Sequence, residues 1–253
     1  MFHTAFTRSS AFTKRALLAG AAAAAVLGSA SAAAAQEPDT LLGEVVVTAQ
    51  KRTERLQDVP VSVNVVSAQA LADSHVSGLQ QLQQLSPSLT FTPSANTRGQ
   101  GLSVRGLGTL NFSDGVEPTV SVVLDGVVIG RSAGSFFDFN DVERIEVLRG
   151  PQGMLFGKNA AAGVINIVTA RPNLSEFEAD ASISYATFDE VRAKGSVSLP
   201  IKSGELAARI SGFYNESEGI ITNKFDGKKY NGLNSYGVRG KLVWSPDDSF
   251  DLF

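Results

Sequence analysis

Gly153-Met154-Leu155-Phe156-Gly157-Lys158-Asn159 gathers two glycines, a lysine and a carboxamide into seven residues, the raw material of a phosphate-cradling loop. Such a loop needs four residues between its glycines and a Ser or Thr after the lysine to hold magnesium. Here the spacing is one residue short and Asn159 stands where the hydroxyl should be, so the segment is not read as a nucleotide site. Two histidines, His3 and His75, and no cysteine leave no material for a thiolate site, a disulfide or a histidine-based metal centre. Neither H-E-x-x-H nor S-x-x-K occurs, and nothing in the chain asks for catalysis or for a cofactor. The charges that stand out are Arg105 and Arg149, each following an apolar pair or strand end and preceding a glycine, in Ser103-Val104-Arg105-Gly106 and Val147-Leu148-Arg149-Gly150. An arginine there either solvates a surface or engages a carboxylate bidentately.

The elements that must position these residues change character along the chain. Residues 1–35 hold Arg8, Lys14 and Arg15, no acid, an apolar run from Ala16 to Leu27 and the small residues Ala33-Ala34-Ala35. This reads as a secretory signal peptide, since the run is shorter than the roughly 20 residues of a membrane-spanning helix. Its removal takes three of 22 basic residues and none of 25 acids, leaving 19 against 25 and a formal charge of −6, which argues against nucleic-acid binding. Residues 36–56 form a polar leader in which Glu44-Val45-Val46-Val47-Thr48-Ala49 stands out as a β-branched run. Such a run can add a strand to a partner's sheet or serve as the first strand of the domain behind it.

Residues 57–172 read as an α+β domain. Val61, Val63 and Val65 alternate as a strand, Ser67 caps a short helix through Asp73, and Leu79, Leu82 and Leu85 share a helical face that stops before Ser86-Pro87. In Val120 to Ile129, Asp125-Gly126 between two β-branched runs calls for a two-residue hairpin turn. Loops rich in Gly, Asn, Ser and Thr, Ser94 to Gly101 and Gly108 to Pro118, carry Asn96, Arg98, Asn111, Phe112 and Asp114.

From residue 177 to 253 the pattern becomes long alternating strands. Ala179, Ala181, Ile183 and Tyr185 share one phase; so do Val191, Ala193, Val197 and Leu199; Leu206, Ala208, Ile210 and Tyr214; and Tyr236, Val238, Leu242 and Trp244. Every charge inside these strands lies on the opposite phase, with Arg192, Lys194, Arg209, Arg239 and Lys241 among them. A soluble sandwich alternates too. Tyr236 to Trp244, however, spans roughly 20 Å of height when tilted, the apolar band of an outer-membrane barrel, with Tyr185, Tyr214 and Tyr236 at one rim and Trp244 at the other. Short turns at Pro200 to Glu205 and Ser245 to Ser249 alternate with a long polar loop from Gly219 to Leu233. The five basic residues favour an anionic ligand or pair with acids of the preceding domain.

Several separate segments, SVRG at 103 to 106, LDG at 124 to 126, VERIEVLRGPQG at 142 to 153 and GVINIVT at 163 to 169, together resemble the plug of a TonB-dependent outer-membrane receptor. The resemblance implies a plug followed by the start of a transmembrane antiparallel β-barrel of roughly 22 strands, of which four to five are present here. It implies that Glu44 to Ala49 is the TonB box, which pairs with TonB and its inner-membrane energising complex, and that Arg105 and Arg149 lock the plug to barrel carboxylates. Asn96, Arg98, Asn111, Phe112 and Asp114 then become candidates for contact with an extracellular small-molecule ligand. The expected function is active import of a scarce ligand, a ferric siderophore, across the outer membrane of a Gram-negative bacterium. Carbohydrate or cobalamin uptake, or a non-transporting plug fragment that binds ligand, are the alternatives. The eight residues between Ala35 and Glu44 leave no room for the extra domain of a signalling transducer.

Overall fold

The computed structural model describes residues 46–48, 51–52, 54–93, 100–109, 115–130, 139–187, 189–219, 221–247 and 250–252. The signal-peptide segment lies outside them. Strand β1 (Val46–Val47) pairs antiparallel with β2 (Glu54–Arg55). Strand β3 (Val63–Ser67) ends at the expected cap: Ser67 Oγ accepts a hydrogen bond from Ala70 N at 3.2 Å and opens the helix Ala68–Asp73. The next helix, Leu79–Leu82, is shorter than the leucine spacing suggests. Leu85 N and Ser86 N both return to Leu82 O at 3.0 Å, tightening the chain into turns ahead of Pro87 rather than continuing the helix.

Strands β4 (Leu89–Thr92), β5 (Gly101–Val104) and β6 (Leu107–Thr109) form a small antiparallel sheet. Strands β7 (Val120–Leu124) and β8 (Val127–Ile129) make the expected hairpin, with φ of 46° at Asp125 and 83° at Gly126, the pair of positive angles a type I′ turn requires. With β9 (Val142–Arg149) and β10 (Gly163–Thr169) they build a mixed sheet in the order β3-β9-β10-β7-β8, in which only β10 and β7 run parallel.

Side-chain alternation gives this sheet two apolar faces. Val120, Val122, Ile145, Val147, Ile165 and Ile167 pack against Leu71, Leu79, Leu82 and Leu89 from the helical side. Val123, Leu148 and Val164 face the other way and meet Val47, Val59, Phe156 and Ala160. The short helix Gly153–Phe156 contributes Phe156 to this second face. At Gly163 a Cβ would stand 2.6 Å from Leu148 O, so the close approach of β10 to β9 needs glycine.

A second sheet, antiparallel throughout, follows: β11 (Glu178–Ala186), β12 (Glu190–Lys202), β13 (Leu206–Ser217), then the small hairpin β14 (Ile221–Thr222) and β15 (Lys229–Tyr230), then β16 (Leu233–Asp247) and β17 (Phe250–Leu252). The sheet order is β11-β12-β13-β16-β17, and β14 and β15 pair only with each other in the long loop. Its sidedness reverses that of a water-soluble sheet. Ser196, Ser198, Arg209, Ser211 and Asn215 are buried, whereas Val197, Leu199, Ile210, Leu242 and Trp244 are exposed. An exposed apolar face backed by a polar interior suits lipid outside and a filled lumen inside. Tyr214 stands opposite Tyr236, and Trp244 opposite Leu206 at the other end of the same pair of strands. With 15 residues, β16 exceeds the roughly 9–11 needed to cross a bilayer as a tilted strand. Among the described residues no helix is long and apolar enough to cross a membrane.

Candidate functional site

The first three described residues are docked on the second face of the mixed sheet. Val47 is fully buried beside Leu148, Phe156 and Val164, while Val46 is exposed. Thr48 lands on Glu146, whose side chain has no exposed surface. Glu146 Oε1 accepts from Thr48 N at 2.8 Å, from Thr48 Oγ1 at 3.2 Å and from Arg144 Nε at 2.9 Å, and Oε2 accepts from Asn166 Nδ2 at 3.0 Å. Arg144 Nη2 and Asn166 Nδ2 also donate to Thr48 Oγ1, at 3.3 and 3.2 Å. A carboxylate is tolerable here because a guanidinium and three further donors compensate it. Asn166 lies directly opposite Glu146 across β9 and β10, so strand register assembles the cluster. Beside it opens a cavity of about 740 Å³ lined by Val46, Thr48, Lys51, Arg144, Asn166 and Thr169, among others. Sequence reasoning singled out Thr48 but not Arg144, Glu146 or Asn166. The available signal was an acid amid Ile145, Val147 and Leu148, at a strand position that must face inward.

The other arrangement joins the two sheets. Arg209 Nε lies 3.1 and 2.9 Å from Asp141 Oδ1 and Oδ2, and Nη2 lies 2.6 Å from Oδ1, a bidentate pair with side chains 7 % and 5 % exposed. Ser196 Oγ at 2.9 Å and Glu178 at 3.4 Å complete the guanidinium's surroundings. Lys194 donates to Phe139 O at 3.2 Å and Arg239 to Asn140 O at 3.0 Å. Lys241 donates to Thr169 O and Ala170 O at 3.1 and 3.2 Å and lies 3.2 Å from Asp125. Arg192 reaches Ser77 Oγ and its own neighbour Glu190. All five basic residues of the inner phase are therefore engaged with the first domain. Of the two roles left open by the sequence, pairing with the first domain is seen, through backbone carbonyls and a hydroxyl as well as acids.

Residues 55–164 match the family model described as the TonB-dependent Receptor Plug Domain. The pesticin receptor of Yersinia pestis is 33% identical over 206 residues, 81% of this chain and 30% of that protein. The chain belongs to the TonB-dependent receptor family. The vitamin B12 transporter BtuB of Vibrio vulnificus is 31% identical over 182 residues, 70% of this chain and 28% of the transporter. Among solved structures, the ferric yersiniabactin uptake receptor FyuA from Yersinia pestis superposes with a TM-score of 0.68 at 33% identity, covering 74% of this chain and 29% of FyuA. The ferripyoverdine receptor of the Pseudomonas aeruginosa outer membrane shares the fold, with a TM-score of 0.67 at 19% identity over 81% of this chain and 26% of that one. The chain thus spans about 30% of the length of these relatives, which are receptors and transporters.

Arg105 sits exposed at the turn after β5, with φ of 54° and its N–H donating to Ser88 O at 2.8 Å. Arg149 ends β9 half-buried, and its Nε is buried without a hydrogen-bond partner among the described residues. Of the TonB-box residues, Glu44, Val45 and Ala49 lie outside the described residues, as do Asn96, Arg98, Asn111, Phe112 and Asp114. Gly130 to Gly134 has the G-x-S-x-G spacing of a hydrolase elbow. That motif belongs between a strand and a helix of an α/β sheet, whereas Gly130 follows the edge strand β8 and residues 131–138 are not described. His75 Nδ1 bonds Asp73 O at 3.3 Å on an exposed turn.

Proposed function

We propose that this chain is the N-terminal part of an outer-membrane transporter that imports a ferric siderophore and is energised by TonB through Glu44 to Ala49. The observation that carries the energising step is the docked strand Val46–Val47. It is two residues long and held by one antiparallel pairing with Glu54–Arg55, by Val47 in the apolar cluster and by Thr48 on Glu146, contacts that pairing with a partner strand would replace. Arg105 and Arg149 act as the plug's anchors to wall carboxylates beyond residue 253, and the Arg149 Nε, buried without a partner among the described residues, supports this for Arg149. The likeness to FyuA favours a siderophore as cargo. Electrostatics no longer does, because the inner-phase cations are taken up by the plug. The similarity to BtuB keeps cobalamin as the second reading.

The test is growth of a receptor-deficient, iron-limited strain expressing the full-length protein, supplied in turn with a panel of ferric siderophores or with cobalamin. Rescue by a siderophore supports the reading, and rescue by cobalamin alone replaces it. Val46→Pro, which removes a backbone donor and resists strand addition, is expected to abolish energised uptake while ligand still binds at the cell surface. Full uptake by that variant contradicts the TonB-box assignment.

A further inference from the structure

The cavity of about 740 Å³ beside the docked strand carries more positive than negative charge. Its charged lining is four cations, Lys51, Arg52, Arg144 and Arg171, against two acids, Asp125 and Glu143. Both acids are already engaged. Asp125 Oδ1 accepts from Thr169 N at 2.8 Å and Oδ2 from Thr169 Oγ1 at 2.7 Å, with Lys241 3.2 Å away, and Glu143 is paired with Arg144. Arg171 pairs with Asp251 at 2.7 Å. Among the described residues Arg52 has no acid partner. The Lys51 ammonium rests over the Phe156 ring, 5.5 Å from its centroid, a contact that supplies no counter-ion. Local geometry fixes both cations at the cavity's edge. Lys51 N donates to Thr48 O at 2.9 Å and Lys51 has φ of 59°, so the chain turns back from β1 toward its antiparallel partner β2 directly after the docked residues. Val46, Phe156 and Val168 supply the apolar part of the same lining.

We propose that this cavity receives acidic side chains of the partner that pairs with the docked strand, so that recognition reads charge beside the strand as well as backbone along it. The inference rests on the reading of Val46 to Thr48 as part of the TonB box. A strand added to Val46–Val47 gains affinity from main-chain bonds, and its specificity comes from alternate side chains that meet pockets. Val46 and Thr48, on either side of the buried Val47, both line the cavity. Alternate side chains of a strand laid beside them face the same space. An acid there meets Lys51 and Arg52 without displacing an existing pair. A cation there meets four like charges whose two acidic neighbours are already engaged. Charges at such a solvent-open rim act mainly through the rate of encounter and are screened by salt. The partner therefore carries Asp or Glu at alternate positions of its pairing segment.

The test uses the purified full-length receptor in detergent and the periplasmic domain of TonB from the same bacterium, with binding followed by surface plasmon resonance at low and at high salt. Lys51→Glu with Arg52→Glu is expected to weaken binding about tenfold at low salt, through slower association, and to flatten its salt dependence. Arg52→Gln alone gives a smaller loss in the same direction. Lys202→Glu, at the end of β12 and outside the cavity, is expected to leave binding unchanged. Replacing the acids of the partner's pairing segment by Asn or Gln should reproduce the loss with the unaltered receptor. Lys51 and Arg52 are both exposed, and an unchanged melting temperature verifies the fold of their variants; should the double variant unfold, Arg52→Gln decides. Binding that is unchanged or tighter in the variant, or a loss matched by Lys202→Glu, overturns the proposal. Val46→Pro separates the two readings. A partner that binds the Val46→Pro receptor as well as the parent ends the TonB-box assignment and this proposal with it, whereas a loss on Val46→Pro with an indifferent double variant ends only the charge reading.

Discussion

Glu146 holds the docked end of the chain through chemistry that no local reading of the sequence reaches. Its partner Thr48 is 98 residues away, and the register that sets Asn166 opposite it depends on the β9 and β10 pairing. Only the fact that an acid interrupts an apolar strand was legible. Removing one member of a buried charge pair leaves the other uncompensated, at a cost of about 3–5 kcal/mol. Arg144 keeps Glu143 as a second, partly exposed partner, so Glu146→Ala, which also frees Thr48 N, is expected to lower the calorimetric stability of the plug in the detergent-purified full-length protein by less than that, about 1–3 kcal/mol. It should also expose the segment from Val46 to Thr48 to added protease. Thr48→Val removes a hydroxyl yet keeps the backbone bond, and should cost about 1 kcal/mol. Equal small shifts for the two variants would contradict a charge-centred cluster. The inner-phase cations show the same limit: their phase was visible along each strand, but carbonyls such as Phe139 O and Thr169 O carry no mark in the sequence.

Elements were legible where local chemistry decides them. Ser67 as a cap and Asp125-Gly126 as a type I′ turn follow from side-chain bonding and φ preference within four residues. The Leu79 helix was overextended because leucine spacing says nothing about how early the chain tightens ahead of Pro87. The parallel pairing of β10 with β7 was not legible, since a crossover pairing leaves no turn signature between its strands. Glycines mark some of these meetings after the fact. Gly163→Ala places a methyl 2.6 Å from Leu148 O, and a backbone atom within a paired ladder cannot move aside as a side-chain end can. It should destabilise the plug by about 1–3 kcal/mol. Gly240→Ala meets nothing within 4 Å and should stay within about 0.5 kcal/mol of the parent protein. Thermal unfolding of the two variants side by side checks the difference, and equal melting temperatures would rule out close strand approach as the reason for Gly163.

At the scale of the molecule, the reversed sidedness of the second sheet was the clearest message of the sequence, because alternation, aromatic placement and charge phase all repeat strand after strand. What the alternation could not say is what fills the interior. In the structure the plug covers the polar face of the strands present, gripped along β12, β13 and β16 by five cations. Arg149 is the complementary case: a plug cation at the end of β9 whose buried Nε meets no acceptor among the described residues. A buried guanidinium donor without a partner is costly, so in the full-length protein Arg149 should find a carboxylate on wall strands after residue 253. Arg149→Ala would then leave that carboxylate unpaired and release one side of the plug while Arg209 and Asp141 retain the other. The expected outcome is higher susceptibility to antibiotics too large for porins, with a normal amount of heat-resistant barrel in the outer membrane. Arg209→Met combined with Arg149→Ala should raise susceptibility further than either substitution alone, since the two contacts restrain the same body from different positions. Susceptibility unchanged by Arg149→Ala at normal barrel levels would mean that the contacts to β12, β13 and β16 suffice to keep the pore closed.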